Sequence, residues 1–184
     1  GAESANTLED PKALEEMAEA FAMAGPKVGR TVHCGETRSI SLKTFKKTLT
    51  ALKADRVGHP LVVARSYRED GDASGLEFLC EHNIVAELCV VSNLLTSAVP
   101  DIATYGRLLN LFDEFNVRYT FSTDAPALQK TTLASELQLL LDNGAASPEQ
   151  LEKSFATAAD SSFIPEPRKG SRGKSRWAGS VKAH

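Results

Sequence analysis

The chain has 184 residues, 42% of them hydrophobic and 24% charged, with a formal net charge of −3. That is the profile of a soluble globular domain with enough apolar side chains for one core. It excludes a membrane-spanning helix, because no run approaches the roughly 18–20 apolar residues such a helix needs.

The N-terminal residues, Gly1-Ala2-Glu3-Ser4, lack a positive region followed by an apolar stretch, so no signal peptide is expected. Residues 10–24 carry Leu14, Met17, Ala18, Phe21 and Ala22 at helical spacing, opened by Asp10-Pro11 and stopped by Gly25-Pro26. A strand is predicted at 29–34, a helix near 40–54, a short strand at 55–58 and a helix near 74–82. Ile84 to Val91 is a near-continuous apolar run of strand length. Further helices are predicted near 100–115, 130–142 and 147–160, with a strand from Val117 to Thr123. Three cysteines, Cys34, Cys80 and Cys89, show no paired spacing, and their odd number argues against a disulfide framework. The expected setting is the reducing cytoplasm. From Arg168 to His184 there are six Lys or Arg and no acid, which leaves 15 basic and 24 acidic groups in the remainder. Trp177 is the only aromatic residue there, so 167–184 reads as a solvated, disordered tail, and nucleic acid is not an expected partner.

Each of the four strands is followed by helix, the repeat that builds parallel sheets. The fold class expected is α/β, half of a (β/α)8 TIM-type barrel of the metal-dependent hydrolase kind, spanning residues 1–166. A full barrel takes about 250 residues. Four units leave two sheet edges and an inner face uncovered, so the missing N-terminal half of the barrel is an expected partner.

Strand ends concentrate the ionisable residues. On the last strand Val117, Tyr119 and Phe121 alternate with Arg118, Thr120, Ser122 and Asp124. In a β/α barrel the apolar set lies under the helices and the polar set faces the axis, which puts Asp124 at the C-terminal rim, where chemistry is done. The same parity turns Thr31 and His33 inward and Val32 and Cys34 outward. Gly35 lets the chain turn so that Glu36 swings back over the rim beside His33. His59 ends the short strand that starts at Arg56. Imidazoles and carboxylates gathered in this way suit metal-assisted hydrolysis. Cys34 and Cys89 read as packing thiols, and His82 and His184 are not site candidates.

Five blocks carry a family resemblance. Thr31-Val32-His33-Cys34-Gly35-Glu36 resembles the TVHAGE block of the adenosine deaminase family, and Arg56-Val57-Gly58-His59 its RIGHG block. Glu87-Leu88-Cys89-Val90-Val91-Ser92-Asn93, with Thr96 beyond, resembles ELCPTSN. Ser122-Thr123-Asp124-Ala125-Pro126 is similar to STDDP, and Ala158 to Glu166 to AAKSSFLPE. Order and spacing agree from the first residues to about residue 166.

The resemblance implies Zn2+ as cofactor, with His33 and Asp124 as ligands. It implies that Glu36 delivers a proton to purine N1 and that His59 orients the attacking water, with a purine nucleoside or nucleobase as substrate and inosine and ammonia as products of adenosine. Gly1-Ala2-Glu3 resembles a GDE block whose glycine backbone touches purine N3, which makes Gly1 a substrate-binding candidate. Three departures stand beside the match. The family's N-terminal His-x-His ligands are not in this sequence, so the 184 residues alone are expected to bind zinc poorly and to be inactive. Ala125 replaces an aspartate that meets purine N7, and Val90-Val91 replaces Pro-Thr. The alternatives are a catalytically inactive, truncated paralogue acting as an association module, and a barrel of this kind performing another amidohydrolase-type hydrolysis.

Overall fold

A computed structural model describes residues 5–25 and 27–164. Among these residues ten helices and four strands alternate: α1 Ala5–Glu9, α2 Pro11–Met23, β1 Thr31–His33, α3 Leu42–Leu52, β2 Arg56–Gly58, α4 Leu61–Asp70, α5 Ser74–Glu81, β3 Val85–Leu88, α6 Val90–Leu95, α7 Ile102–Glu114, β4 Tyr119–Phe121, α8 Pro126–Gln129, α9 Leu133–Asp142 and α10 Pro148–Asp160. The strands form one parallel sheet in the order β1-β2-β3-β4, with Val32 opposite Val57, Val57 opposite Ala86, and Ala86 opposite Tyr119. A sheet that keeps sequence order, with helix in every crossover, is part of a (β/α)8 barrel, as the sequence predicts. None of the described helices is long and apolar enough to cross a membrane.

Short polar residues set the helix starts. Asp10, Ser41, Asp101 and Ser147 each accept a hydrogen bond from a backbone amide two or three residues on, satisfying donors that a helix cannot satisfy itself. The core lies between sheet and helices. Val32, Val57, Ala86, Val117 and Tyr119 point into it, against Phe45, Leu49, Leu76 and Phe112. The opposite face is polar. There the Arg56 guanidinium meets the Glu87 carboxylate at 2.7 Å, and Thr31 donates to the other oxygen of Glu87 at 3.1 Å. The alternation predicted for β1 and β4 is present, apolar side buried and polar side open.

Several elements, the short α1 among them, differ from the sequence reading. The apolar run from Ile84 to Val91 is not one strand: β3 ends at Leu88 and α6 begins at Val90. Val90 is fully buried from a helix, and a continuous apolar run does not distinguish the two structures. Helix α4 is absent from the reading, because its buried residues Leu61, Val62 and Val63 are consecutive and show no helical spacing. The helix expected over 130–142 is α9, and the short α8 before it, ended where Lys130 takes a φ of +51°, is absent from the reading. The expectation for the basic tail, 167–184, lies outside the described residues.

Candidate active site

The C-terminal ends of the strands supply the candidate residues. His33 is the last residue of β1, and Gly35 follows with a φ of +106°. A Cβ at Gly35 would sit 2.9 Å from Val62 Cγ1, 3.2 Å from Phe45 and 3.2 Å from the Pro60 backbone, so only glycine permits this turn. The turn returns Glu36 over the rim, where its Oε2 lies 3.3 Å from His33 Nε2. His59 follows β2 and is 3% exposed, its ring centroid 4.5 Å from that of His33. Its Nδ1 lies 3.9 Å from Glu36 Oε1. Asp124 sits three residues beyond the end of β4.

His59 and Asp124 share a rare backbone: their φ values are +56° and +55°. A left-handed conformation costs a non-glycine residue about 1–2 kcal/mol. Here it turns each side chain at the point where its strand ends.

Helix α6 braces Glu36, His59 and Asp124. Asn93, fully buried, places its amide nitrogen 3.0 Å from Glu36 Oε1 and 2.8 Å from His59 Nδ1. Thr96 donates to Glu36 Oε1 at 3.0 Å, and Ser92 donates to Asp124 Oδ2 at 2.7 Å. Tyr105 of α7 fixes the amide by donating to Asn93 Oδ1 at 2.5 Å. With Nδ2 between a carboxylate and a ring nitrogen, its two hydrogens go one to each. His59 Nδ1 is therefore an acceptor, and in the neutral ring the proton is on Nε2. That tautomer leaves Nε2–H as the donor of the His59 ring. The Ser92 hydrogen bond, aided by the nearby imidazoles of His59 and His33, holds the Asp124 carboxyl below its usual range.

His33, Glu36 and His59 form a group whose potential ligand atoms lie within 4.8 Å of one another. A neutral imidazole and carboxylate oxygens are a donor set that suits zinc. The tautomer of His59 argues for a role beside a metal, and His33 is the imidazole with Nε2 toward the centre of this group. Asp124, tied to α6 through Ser92 and within electrostatic reach of both imidazoles, lies outside that group.

Ala125 offers no polar side chain at the start of α8. Gly1 lies outside the described residues. Cys34 and Cys89 are buried as the sequence predicts, and burial, with the nearby Asp124 and Glu136 carboxylates, pushes the Cys89 thiol up to about 12.

Beneath α6 is a residue that the sequence reading passed over. Glu136 is 0% exposed, and its Oε2 accepts the Val90 N–H at 3.0 Å, pinning the start of the bracing helix. Its helical spacing beside Leu137 and Leu140 was the available signal, since an acid there falls on a buried face. Burial raises its carboxyl above the ordinary value of 4.5, against the pull of the amides it accepts from. A raised folded pKa means that the folded state binds the proton more tightly than the unfolded chain. Stability contributed here is therefore lost as pH climbs from about 4.5 through the raised value. Glu136→Gln keeps the acceptor and removes the titration. Thermal melts should coincide near pH 4.5 and separate toward pH 7, with the Gln variant melting higher; parallel profiles would show that this carboxyl does not titrate on unfolding.

Comparison with known proteins decides the family. A sequence profile of the adenosine deaminase family matches residues 1–172. The chain belongs to the adenosine deaminase family. Within that family it is 32% identical to adenosine deaminase of Bos taurus over 143 residues, covering 77% of this chain and 36% of that protein. Adenosine deaminase of Danio rerio is 31% identical over 143 residues, covering 77% and 37%. The chain thus spans little more than a third of these relatives. Among solved structures it resembles adenine deaminase of Arthrobacter aurescens, with a TM-score of 0.73 at 20% identity, covering 88% of this chain and 46% of that one. An amidohydrolase from Burkholderia ambifaria with bound zinc gives 0.68 at 17% identity, covering 88% and 42%. These likenesses establish a shared fold.

Proposed function

We propose that these residues form the C-terminal half of the barrel, residues 1–166, of a zinc-dependent aminopurine deaminase that releases ammonia from adenosine or a closely related substrate. The convergence of His33, Glu36 and His59 within 4.8 Å at one rim carries this reading. Relatives named adenosine deaminase support it. His33 and Asp124 would hold the metal, each already steered by a neighbour on the rim. When bound, zinc supplies Lewis acidity and makes water an effective nucleophile at neutral pH. Glu36 holds a proton for the ring nitrogen next to the amino-bearing carbon, which gains electron density as water adds. His59, with its proton on Nε2, donates a hydrogen bond that aims the attacking water. Asn93 keeps these two groups in register.

Two protein ligands fall short of the three that catalytic zinc usually has. The chain as it stands is therefore expected to bind zinc weakly, and the other ligands to come from the complementary half of the barrel. Ala125 removes a polar contact to the base, which favours a substrate other than plain adenosine. Metal analysis of the full-length gene product, with ammonia release from adenosine, adenine, adenosine monophosphate and an N6-methyl derivative, tests the reading. One zinc per chain with turnover of one of these is the expected result. Absence of both metal and turnover would favour the inactive association module instead.

In the same protein, Asn93→Ala should lower kcat about 10–100-fold with zinc content retained, since it removes an outer partner of the site and no ligand. An unchanged kcat would show that Glu36 and His59 hold their places without it.

A further inference from the structure

A cavity lies beside the strand-end rim, with none of His33, Glu36, His59 and Asp124 in its lining. It has a volume of about 350 Å³ and opens between α4 and α7, beside the loop that follows α6. Leu61, Tyr67, Val99 and Leu108 form an apolar floor, and four arginines, Arg38, Arg65, Arg68 and Arg107, line the walls. Its lining comes from the connections between β1 and β2, β2 and β3, and β3 and β4.

Charge on this cavity is one-sided. Arg38 and Arg68 place guanidinium nitrogens 3.5 and 3.2 Å from the same oxygen, Glu69 Oε1, so one carboxylate serves two cations. Arg107 is 3.8 Å from Asp101. The side chains of Arg38, Arg68 and Arg107 are 78%, 53% and 66% exposed, able to swing onto an incoming anion. Arg65 reaches the other way: its Nη2 donates to Thr37 O at 2.8 Å and its Nη1 to Glu36 O at 3.4 Å. It steadies the loop that carries Glu36 while lining the same space.

We propose that this cavity binds a phosphomonoester carried on a planar ring. The volume is at the lower end of small-molecule sites, too small for a folded partner or a peptide of any length. The floor accepts a flat apolar body, with Tyr67 as its aromatic wall. Two guanidiniums that already converge on one oxygen are the arrangement a dianionic phosphate takes bidentately. A neutral apolar ligand gains nothing from the arginines, and inorganic phosphate leaves the floor wet. An occupant also meets Arg65, which gives it a route to the loop bearing Glu36. The binding claim does not rest on the deaminase reading.

Calorimetric titration of the 184-residue chain with phenyl phosphate tests the proposal, with inorganic phosphate and benzyl alcohol as partial probes. Saturable 1:1 binding is expected, about tenfold or more tighter than either partial probe. Arg38→Ala with Arg68→Ala should weaken it about tenfold or more, whereas His33→Ala leaves it unchanged. Binding no tighter than that of inorganic phosphate, binding that survives the double substitution, or binding lost in His33→Ala would each overturn the assignment.

Discussion

Glu36→Gln is expected to lower turnover of the aminopurine about 10²–10⁴-fold in the full-length gene product, with zinc still near one per chain. Glutamine has the size of glutamate and keeps an oxygen for the Asn93 and Thr96 donors, both at 3.0 Å, so the bracing by α6 survives. What it lacks is a carboxyl proton to hand to the ring. The measurement separates two roles that the geometry brings close together, because Glu36 also belongs to the group of potential ligand atoms with His33 and His59. Zinc lost together with activity would make Glu36 a ligand. Turnover close to that of the parent would remove it from the proton path altogether.

The largest effect on stability is expected at Phe45. This side chain is 0% exposed on α3, in the core between sheet and helices. Its ring edge also lies 3.2 Å from where a Cβ would stand on Gly35, so it backs the turn that delivers Glu36. Phe45→Ala removes a full aromatic ring from a packed interior and should cost about 3–5 kcal/mol. Urea unfolding of the 184-residue chain reads this directly. A loss below about 1 kcal/mol would mean that the space refills, and that α3 contributes far less than its burial implies.

How far the sequence reading reached follows from the physics of each signal. Strand ends were legible because alternation along Val117 to Asp124 and Thr31 to Cys34 fixes which side each residue faces, and the burial follows that parity. His33, Glu36 and His59 were legible because each follows a β-type pattern at its point of termination. Helix α6 was hidden: two valines after Leu88 look like more strand, and only tertiary packing makes them helical. With α6 unseen, the roles of Ser92, Asn93 and Thr96 could not be assigned, although the motif contained them. The partners of Tyr105 and Glu136 were out of reach for a different reason, although the spacing of Glu136 marks it as facing the core. Both residues act through buried hydrogen bonds to residues 12 and 46 positions away, and no local pattern encodes a partner at that distance. The arginine-walled cavity combines segments around 38, 65 and 107, which come together only once β1, β2 and β3 are paired.

The two left-handed residues at the rim have a consequence for how this fold can fail. His59 and Asp124 each sit in a backbone basin they would leave if released. Two clasps keep them there: the His59 N–H donates to Glu87 O at 3.0 Å, and the Ser92 hydroxyl holds the Asp124 carboxylate at 2.7 Å. Loosening either lets the chain relax to ordinary dihedrals while the sheet stays paired. The imidazole and the carboxylate would then swing off the rim, so the chemistry is set to disengage before the architecture does.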